Sequence, residues 1–129
     1  MPLGGDDLAQ IHRLYATYNH AIDDGDGDRF AACFTPDAEL FPGGGEPFVG
    51  TDAIAAFAKG VPGSFPGIRH TITNIVVDGD GDTADGAAYL VVIIAGAEPK
   101  LMMTGRYNDS LRRVTGTWLF SRRDFTPDR

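Results

Sequence analysis

The second half of this 129-residue chain consists of long segments in which apolar residues recur at every second position. This alternation is typical of strands that place one face on a core. Tight-turn sequences separate the segments, among them Asp78–Asp82 and Thr115-Gly116. Consecutive strands joined by short turns pair antiparallel. The sequence therefore predicts a four-stranded antiparallel meander over Ile68–Val77, Thr83–Gly96, Leu101–Val114 and Thr117–Phe125.

The first half of the chain has a helical period instead. Within Asp6–Asp23, apolar residues recur at spacings of three and four, which predicts an amphipathic helix that Asp6 or Asp7 caps and Gly25 ends. A second, short helix is predicted around Phe30–Phe34, followed by a turn at Thr35–Ala38. The remaining predictions are short strands at Glu39–Phe41 and Phe48-Val49, a third helix that begins near Thr51, and loops at Pro42–Pro47 and Gly60–Gly67.

Length and composition fit one soluble domain, residues 1–129. The chain is 43% hydrophobic, enough for a core without disulfides or metal. Its single cysteine, Cys33, cannot form an internal disulfide, which fits a cytoplasmic location. The longest apolar run, Ala87–Ala97, is far shorter than a membrane-spanning helix, and Met1–Asp7 does not resemble a secretory signal.

The formal net charge of −7 argues against nucleic acid as a partner, because a phosphate backbone would be repelled. The one basic concentration lies on the last two predicted strands. We expect its side chains to be solvated on the exposed faces of these strands; they are Arg112, Arg113, Arg122 and Arg123.

The sequence does not indicate a metal or cofactor site. Asp24–Asp28 and Asp78–Asp82 both read Asp-Gly-Asp-Gly-Asp, but neither run is followed by the glycine and glutamate that a calcium-binding EF-hand loop requires. Both runs are better interpreted as turns and helix caps. There is also no glycine-rich phosphate loop after a strand, no serine elbow, and no metal-ligand spacing of cysteines or histidines.

Several segments resemble the SnoaL-like proteins of the nuclear transport factor two-like superfamily. The resemblance covers nearly the whole chain and rests on Tyr18–Asp26, Phe34–Ala38, Arg69–Thr71 with Asn74, Val77–Gly79, Gly105–Asp109 and Gly116–Trp118. It implies an α+β fold, the cone-shaped α+β barrel, in which three N-terminal helices pack on a curved antiparallel sheet. This fold hosts isomerases, dehydratases, cyclases, hydrolases and non-catalytic proteins, so it does not define the function.

Within this superfamily the pattern is most similar to the scytalone dehydratase and bile acid dehydratase branch. The branch implies that Tyr18 and Asp23 on the first helix face His70 on the first long strand. The scytalone enzymes have a second pocket histidine on the next strand, where this sequence has Tyr89 and aliphatic residues. A homodimer, common in proteins of this type, is expected through the arginine-bearing strands and the convex side of the sheet.

Tyr18, Asp23 and His70 each have a purely structural interpretation as well as a catalytic one. Asp23, in the last turn of a helix, is either a proton carrier or a solvated residue beside other aspartates. His70 shares a predicted strand face with Ile72, Asn74 and Val76, and is either a core histidine or the proton-exchange partner of Asp23. Tyr18 either donates a hydrogen bond to a substrate oxygen or packs in the core.

Other residues are candidates for pocket walls, although each could equally be core packing: Tyr15, Phe41, Phe48, Phe57, Tyr89, Met102 and Met103, with Asn74 as a second pocket amide. Asp109 is expected to anchor structure, and His12 and His20 are expected on the helix surface.

These features favour a cofactor-independent lyase or isomerase that acts by Asp–His acid–base catalysis. The expected chemistry is a dehydration or double-bond shift on a small apolar oxygenated ring compound, such as a polyketide or steroid-like molecule. One alternative is a non-catalytic ligand-binding or dimerisation module, in which Tyr18, Asp23 and His70 would not converge. Another is a polyketide cyclase with Asp23 as the acid.

Overall fold

The computed structural model describes residues 1–129 as three helices packed against one six-stranded sheet. The elements in chain order are α1 (Gly5–Asp24), α2 (Gly27–Ala31), β1 (Phe34–Phe41), β2 (Phe48–Val49), α3 (Thr51–Ser64), β3 (Ile68–Asp80), β4 (Thr83–Ile94), β5 (Lys100–Val114) and β6 (Thr117–Pro127). The predicted α+β class is confirmed. None of the three helices combines the length and the apolar character needed to span a bilayer.

The predicted meander forms β3 to β6, which pair antiparallel in sequence order. The whole sheet has the order β2-β1-β6-β5-β4-β3, and β1 runs parallel to β6. The sheet is therefore mixed rather than purely antiparallel, and β2 and β3 are its free edges, so it does not close into a barrel.

Several boundaries differ from the sequence prediction, among them the end of β3, which continues to Asp80 into the predicted Asp78–Asp82 turn. β1 begins at Phe34, so the predicted turn Thr35–Ala38 is extended strand, although the register with β6 shifts between Phe34 and Glu39. α2 correspondingly ends at Ala31. α3 continues through Pro62 to Ser64, where a loop was predicted. The helical φ that proline adopts is compatible with this last turn, so Pro62 does not end the helix earlier.

The core lies between α1 and the concave face of the sheet. The apolar stripe of α1 is buried there, through Ile11, Leu14, Tyr15, Tyr18 and Ile22. Trp118, Phe120 and Leu111 face it from the sheet. Burial of each such side chain stabilises the fold by about 1.5–3 kcal/mol, so this stripe fixes the position of α1 over the sheet.

A bulge in β3 changes which residues face the core. Asn74 has a φ of 56°, and the pairing of β3 with β4 shifts between Thr73 and Val76. The extra residue reverses the alternation. His70 and Ile72 therefore face inward as predicted, but Asn74 and Val76 are exposed, and the prediction that they share the face of His70 is wrong.

Arg123 is also not where the sequence predicts it. The register of β5 with β6 skips Ser121, because Ser110 pairs with Arg122 whereas Leu111 pairs with Phe120. This bulge turns Arg123 into the core, where it is completely buried. Its Nε lies 3.1 Å from Asp109 Oδ1, and the Tyr15 hydroxyl donates a 2.6 Å hydrogen bond to Asp109 Oδ2. Asp109 thus has the structural contacts that were expected of it.

The other three arginines of the basic group pair with aspartates rather than stand free. Arg112 contacts Asp37, and Arg122 lies 3.7 Å from Asp124. Arg113 is only a third exposed and bridges two aspartates that belong to different parts of the fold, Asp7 and Asp82. The expectation of solvated arginines on exposed strand faces therefore holds for Arg122, holds only in part for Arg112 and Arg113, and is wrong for Arg123.

The start of α1 is tied to the sheet through Asp7. Its Oδ2 accepts a hydrogen bond from the Gly4 N–H at 3.0 Å. Its Oδ1 accepts one from Trp118 Nε1 at 3.0 Å and one from Arg113 Nη1 at 2.8 Å. The Trp118 hydrogen bond, with smaller contributions from Gly4 and Arg113, holds the pKa of Asp7 below its usual value. A carboxylate at a helix N-terminus is also favoured by the helix dipole.

Replacement of Asp7 should therefore lower stability in a pH-dependent way. A carboxyl group whose pKa is lower in the folded state stabilises the fold above its unfolded pKa of about 3.9, and this stabilisation is lost as the pH falls through the folded value. We expect Asp7→Asn to lower the melting temperature at pH 7, with the difference from the unmodified chain closing as the pH falls through the lowered pKa of Asp7. Circular dichroism melts across pH measure this.

The matched control is Asp6→Asn, which removes an exposed carboxylate from the same helical turn. It should leave the melting temperature nearly unchanged at every pH. Equal losses from Asp6→Asn and Asp7→Asn would show that only the helix dipole matters and not the bond to the sheet.

Candidate active site

An apolar cavity of about 200 Å³ lies between the helices and the concave face of the sheet. Fourteen of its sixteen lining residues are hydrophobic. The full lining is Tyr18, Ile22, Leu40, Phe41, Pro42, Phe57, Val61, Phe65, Ile68, His70, Leu90, Val92, Met102, Met103, Tyr107 and Phe125. The lining side chains that can form hydrogen bonds are those of His70, Tyr18 and Tyr107, of which the two tyrosines are counted among the hydrophobic residues.

Asp23 and His70 are in direct contact beside this cavity. Asp23 lies in the last turn of α1, which ends at Gly25 in the left-handed conformation with a φ of 68°. Its Oδ1 is 2.6 Å from His70 Nδ1, and both carboxylate oxygens accept from the His70 backbone N–H at 3.1 Å. Both side chains are about 90% buried. The carboxylate is therefore held by two groups of one residue, which fixes the imidazole ring.

The contact defines the roles of the two imidazole nitrogens. An ionised carboxylate can only accept hydrogen bonds, so Nδ1 carries a proton towards Asp23. Nε2 is then the nitrogen available for proton exchange with a bound molecule. His70 lines the apolar cavity, and Asp23 does not. Both residues border a second, more polar groove, which also includes Asn19.

Two tyrosines contribute phenols to the cavity wall. Tyr18, predicted from the sequence, is 2% exposed, and its ring lies edge-on to Tyr107 with a centroid separation of 6.0 Å. Burial raises the pKa of both phenols, and the nearby charge of Arg123 partly opposes this. Both groups therefore stay protonated at neutral pH and can donate hydrogen bonds.

Sequence reasoning missed Tyr107 as a candidate site residue. The signal was present, because Tyr107 lies two residues before Asp109 on β5 and so shares its inward face. It was instead treated as part of the Gly105–Asp109 motif that indicated the fold. The other missed wall residues are aliphatic or aromatic positions that sequence cannot distinguish from ordinary core.

The structure brings together only part of the predicted wall. Phe41, Phe57, Met102 and Met103 line the cavity. Phe48 lies outside the lining, stacked on Phe57 with a centroid separation of 4.7 Å.

Three other predicted wall residues lie away from the cavity. Tyr15 is buried on Asp109, and Asn74 points outward because of the β3 bulge. Tyr89 is 45% exposed beneath Arg106. His12 and His20 are exposed, as expected.

The chain matches the model of the SnoaL-like domain over residues 6–124. It belongs to the SnoaL-like family. The resemblance inferred from the sequence motifs is thereby confirmed. A search of the curated proteins finds no match.

Solved structures similar to this SnoaL-like protein include an aspartate-to-asparagine variant of Rv3472, of unknown function, from Mycobacterium tuberculosis. It is 31% identical with a TM-score of 0.87, over 95% of this chain and 72% of that one. A protein from Catenulispora acidiphila in complex with S-DNPA is 25% identical with a TM-score of 0.84, over 94% and 92% of the two chains. A candidate scytalone dehydratase from Novosphingobium aromaticivorans is 24% identical with a TM-score of 0.82, over 95% and 84%, and shows the shared fold.

The cavity should take up a small apolar ring compound. An apolar cavity of about 150 Å³ binds benzene, so the space here is sufficient for indole. Indole at 100 times its dissociation constant should stabilise the protein by about 2.7 kcal/mol, measured as a rise in melting temperature.

A matched pair of substitutions tests whether indole binds inside the cavity. Met102→Trp replaces a thioether of the lining with a bulky indole ring and should abolish the rise, whereas Tyr89→Trp, outside the cavity, should preserve it. An equal rise in both variants would mean that indole binds elsewhere.

Proposed function

We propose that this SnoaL-like protein is a cofactor-independent lyase or isomerase that moves a proton on a small, apolar, oxygenated ring compound. One observation carries the proposal: the His70 imidazole, held by Asp23 at 2.6 Å, forms part of the wall of an otherwise apolar cavity. A fixed imidazole in a water-poor pocket is well suited to general acid–base catalysis.

In this proposal the two residues of the pair have different roles. His70 Nε2 removes a proton from the carbon next to a substrate carbonyl. Asp23 does not line the cavity, so it acts as a positioning residue that orients the ring and stabilises the imidazolium as it forms. This arrangement replaces the sequence-based expectation that Asp23 itself exchanges protons with the substrate.

The remaining steps return the proton that His70 removes. The carbonyl oxygen gains negative charge as the enolate forms, and the Tyr18 phenol donates a hydrogen bond to it. In a dehydration, the His70 imidazolium protonates the departing hydroxyl, so that water leaves and a conjugated double bond remains. In a double-bond shift, the same proton returns to a carbon two positions away. Both reactions conserve protons and electrons without a cofactor.

Cavity size narrows the substrate class. About 200 Å³ is somewhat more than the 150 Å³ that suffices for benzene. One ring, or two fused rings, fills this space, whereas a four-ring steroid skeleton would have to extend out of the cavity. The complex of the Catenulispora acidiphila protein with S-DNPA supports a small-molecule ligand. A substrate smaller than the steroid-like compounds is therefore favoured.

Two simple ketones test the two reactions with one readout. 3-Cyclohexenone by a double-bond shift, and 3-hydroxycyclohexanone by loss of water, both give 2-cyclohexenone, which is followed by its ultraviolet absorbance. We expect His70→Gln to lower the rate by about 10²–10⁴-fold, the usual contribution of general acid–base catalysis. Asp23→Asn should lower it as well, because Nδ1 loses its charged partner.

The matched control is His12→Gln, which removes an exposed imidazole from the same protein and should leave the rate unchanged. The proposal would be contradicted if the protein converted neither ketone and if 2-cyclohexenone bound equally well to the unmodified chain and to His70→Gln. That result would favour a non-catalytic ligand-binding module.

A further inference from the structure

Tyr107 lies between the cavity and a buried positive charge. Its side chain lines the cavity, and the Cζ atom of Arg123 is 3.4 Å from the centre of its ring. The same guanidinium carbon is 4.2 Å from the ring centre of Tyr18 and 4.8 Å from that of Tyr15. Of these three rings, that of Tyr107 is therefore the closest to the cation, and it is one of the two that also reach the cavity.

The surroundings of Arg123 leave much of its charge directed at these rings. Asp109 Oδ1 lies 3.1 Å from Nε as an ion pair, but Nε, Nη1 and Nη2 are all buried without a hydrogen-bond partner. Buried guanidinium groups normally have their donors satisfied by oxygen acceptors. Here aromatic ring faces take that place, and a ring face attracts a cation through its quadrupole.

The charge of Arg123 also acts on the phenol group of Tyr107. Burial raises the pKa of Tyr107, and the neighbouring positive charge of Arg123 acts in the opposite direction. The phenol keeps its proton at neutral pH, and the cation behind it favours negative charge on the phenol oxygen. A phenol in this state is a strong hydrogen-bond donor to an anionic acceptor.

We propose that Tyr107 is a second catalytic phenol of the cavity, which donates a hydrogen bond to the substrate oxygen that becomes negatively charged, with Arg123 as the charge that strengthens this donor. The inference rests on the proposed function, since it supplies the site for the enolate oxygen. Tyr18 and Tyr107 then form a two-donor oxyanion site in the cavity that His70 also lines. The hydroxyl of Tyr15 is excluded from this role because it is committed to Asp109.

The test uses 4-nitrophenol, whose ionised form mimics an enolate and absorbs visible light, and 4-nitrotoluene, a neutral molecule of nearly the same shape. We expect Tyr107→Phe to weaken binding of 4-nitrophenolate by about 10-fold, equivalent to about 1.4 kcal/mol for one charge-assisted hydrogen bond. Binding of 4-nitrotoluene should be unchanged, because the ring that lines the cavity is retained.

Tyr15→Phe is the matched control. It removes a phenol oxygen that is bonded to Asp109 and lies outside the cavity, so it should leave the affinity for 4-nitrophenolate unchanged even if stability falls. Asp109→Asn should raise the ratio of 4-nitrophenolate to 4-nitrotoluene affinity, because the counter-charge of Arg123 is removed. A general loss of structure would instead weaken binding of both probes.

The outcomes separate this inference from the proposed reaction. Equal 4-nitrophenolate affinity with and without the Tyr107 hydroxyl, or equal weakening of both probes, overturns the inference while turnover of the ketones can still stand. A selective loss of 4-nitrophenolate binding in a protein that converts neither ketone supports Tyr107 as the anion-binding donor and rejects the reaction. A selective loss together with a fall in ketone turnover supports both.

Discussion

The buried contact between Arg123 and Asp109 is the interaction on which the rest of the core depends. It connects β6 to β5. Asp109 also accepts a hydrogen bond from Tyr15, which connects α1 to these two strands. Removal of one partner from a buried ion pair typically costs about 3–5 kcal/mol, because the other charge is left uncompensated. Gly86 provides the necessary space, since a Cβ atom there would collide with the Tyr15 hydroxyl.

Helix α1 is held to the sheet by three aspartate-centred contacts as well as by apolar packing. In the first turn of α1, Asp7 accepts a hydrogen bond from Trp118. In its middle, Tyr15 donates one to Asp109. In its last turn, Asp23 contacts His70. The first two contacts are structural, and they determine where the third one lies. The proposed active site is thus the final link between a helix and a sheet whose relative position is already fixed.

The fold could be predicted from the sequence because its main elements follow simple periods. The alternation of Ile68 to Phe125 defines the meander, and the stripe from Ile11 to Ile22 defines α1. The site was only partly predictable, since a bulge changes which face a residue occupies without leaving a clear mark in the sequence. The bulge at Asn74 removed a predicted pocket amide, and the one at Ser121 buried an arginine that an unbroken alternation would have exposed.

The cavity contains a single imidazole, and this limits the reactions that fit the proposal. Its other hydrogen-bonding side chains are the phenols of Tyr18 and Tyr107, which burial keeps protonated. The group that removes a proton must therefore also deliver one. A single fixed base can reach two substrate positions only when they lie on the same face of the ring. The geometry accordingly favours elimination or proton transfer on one face of the substrate, a restriction that a second histidine on the neighbouring strand would relax.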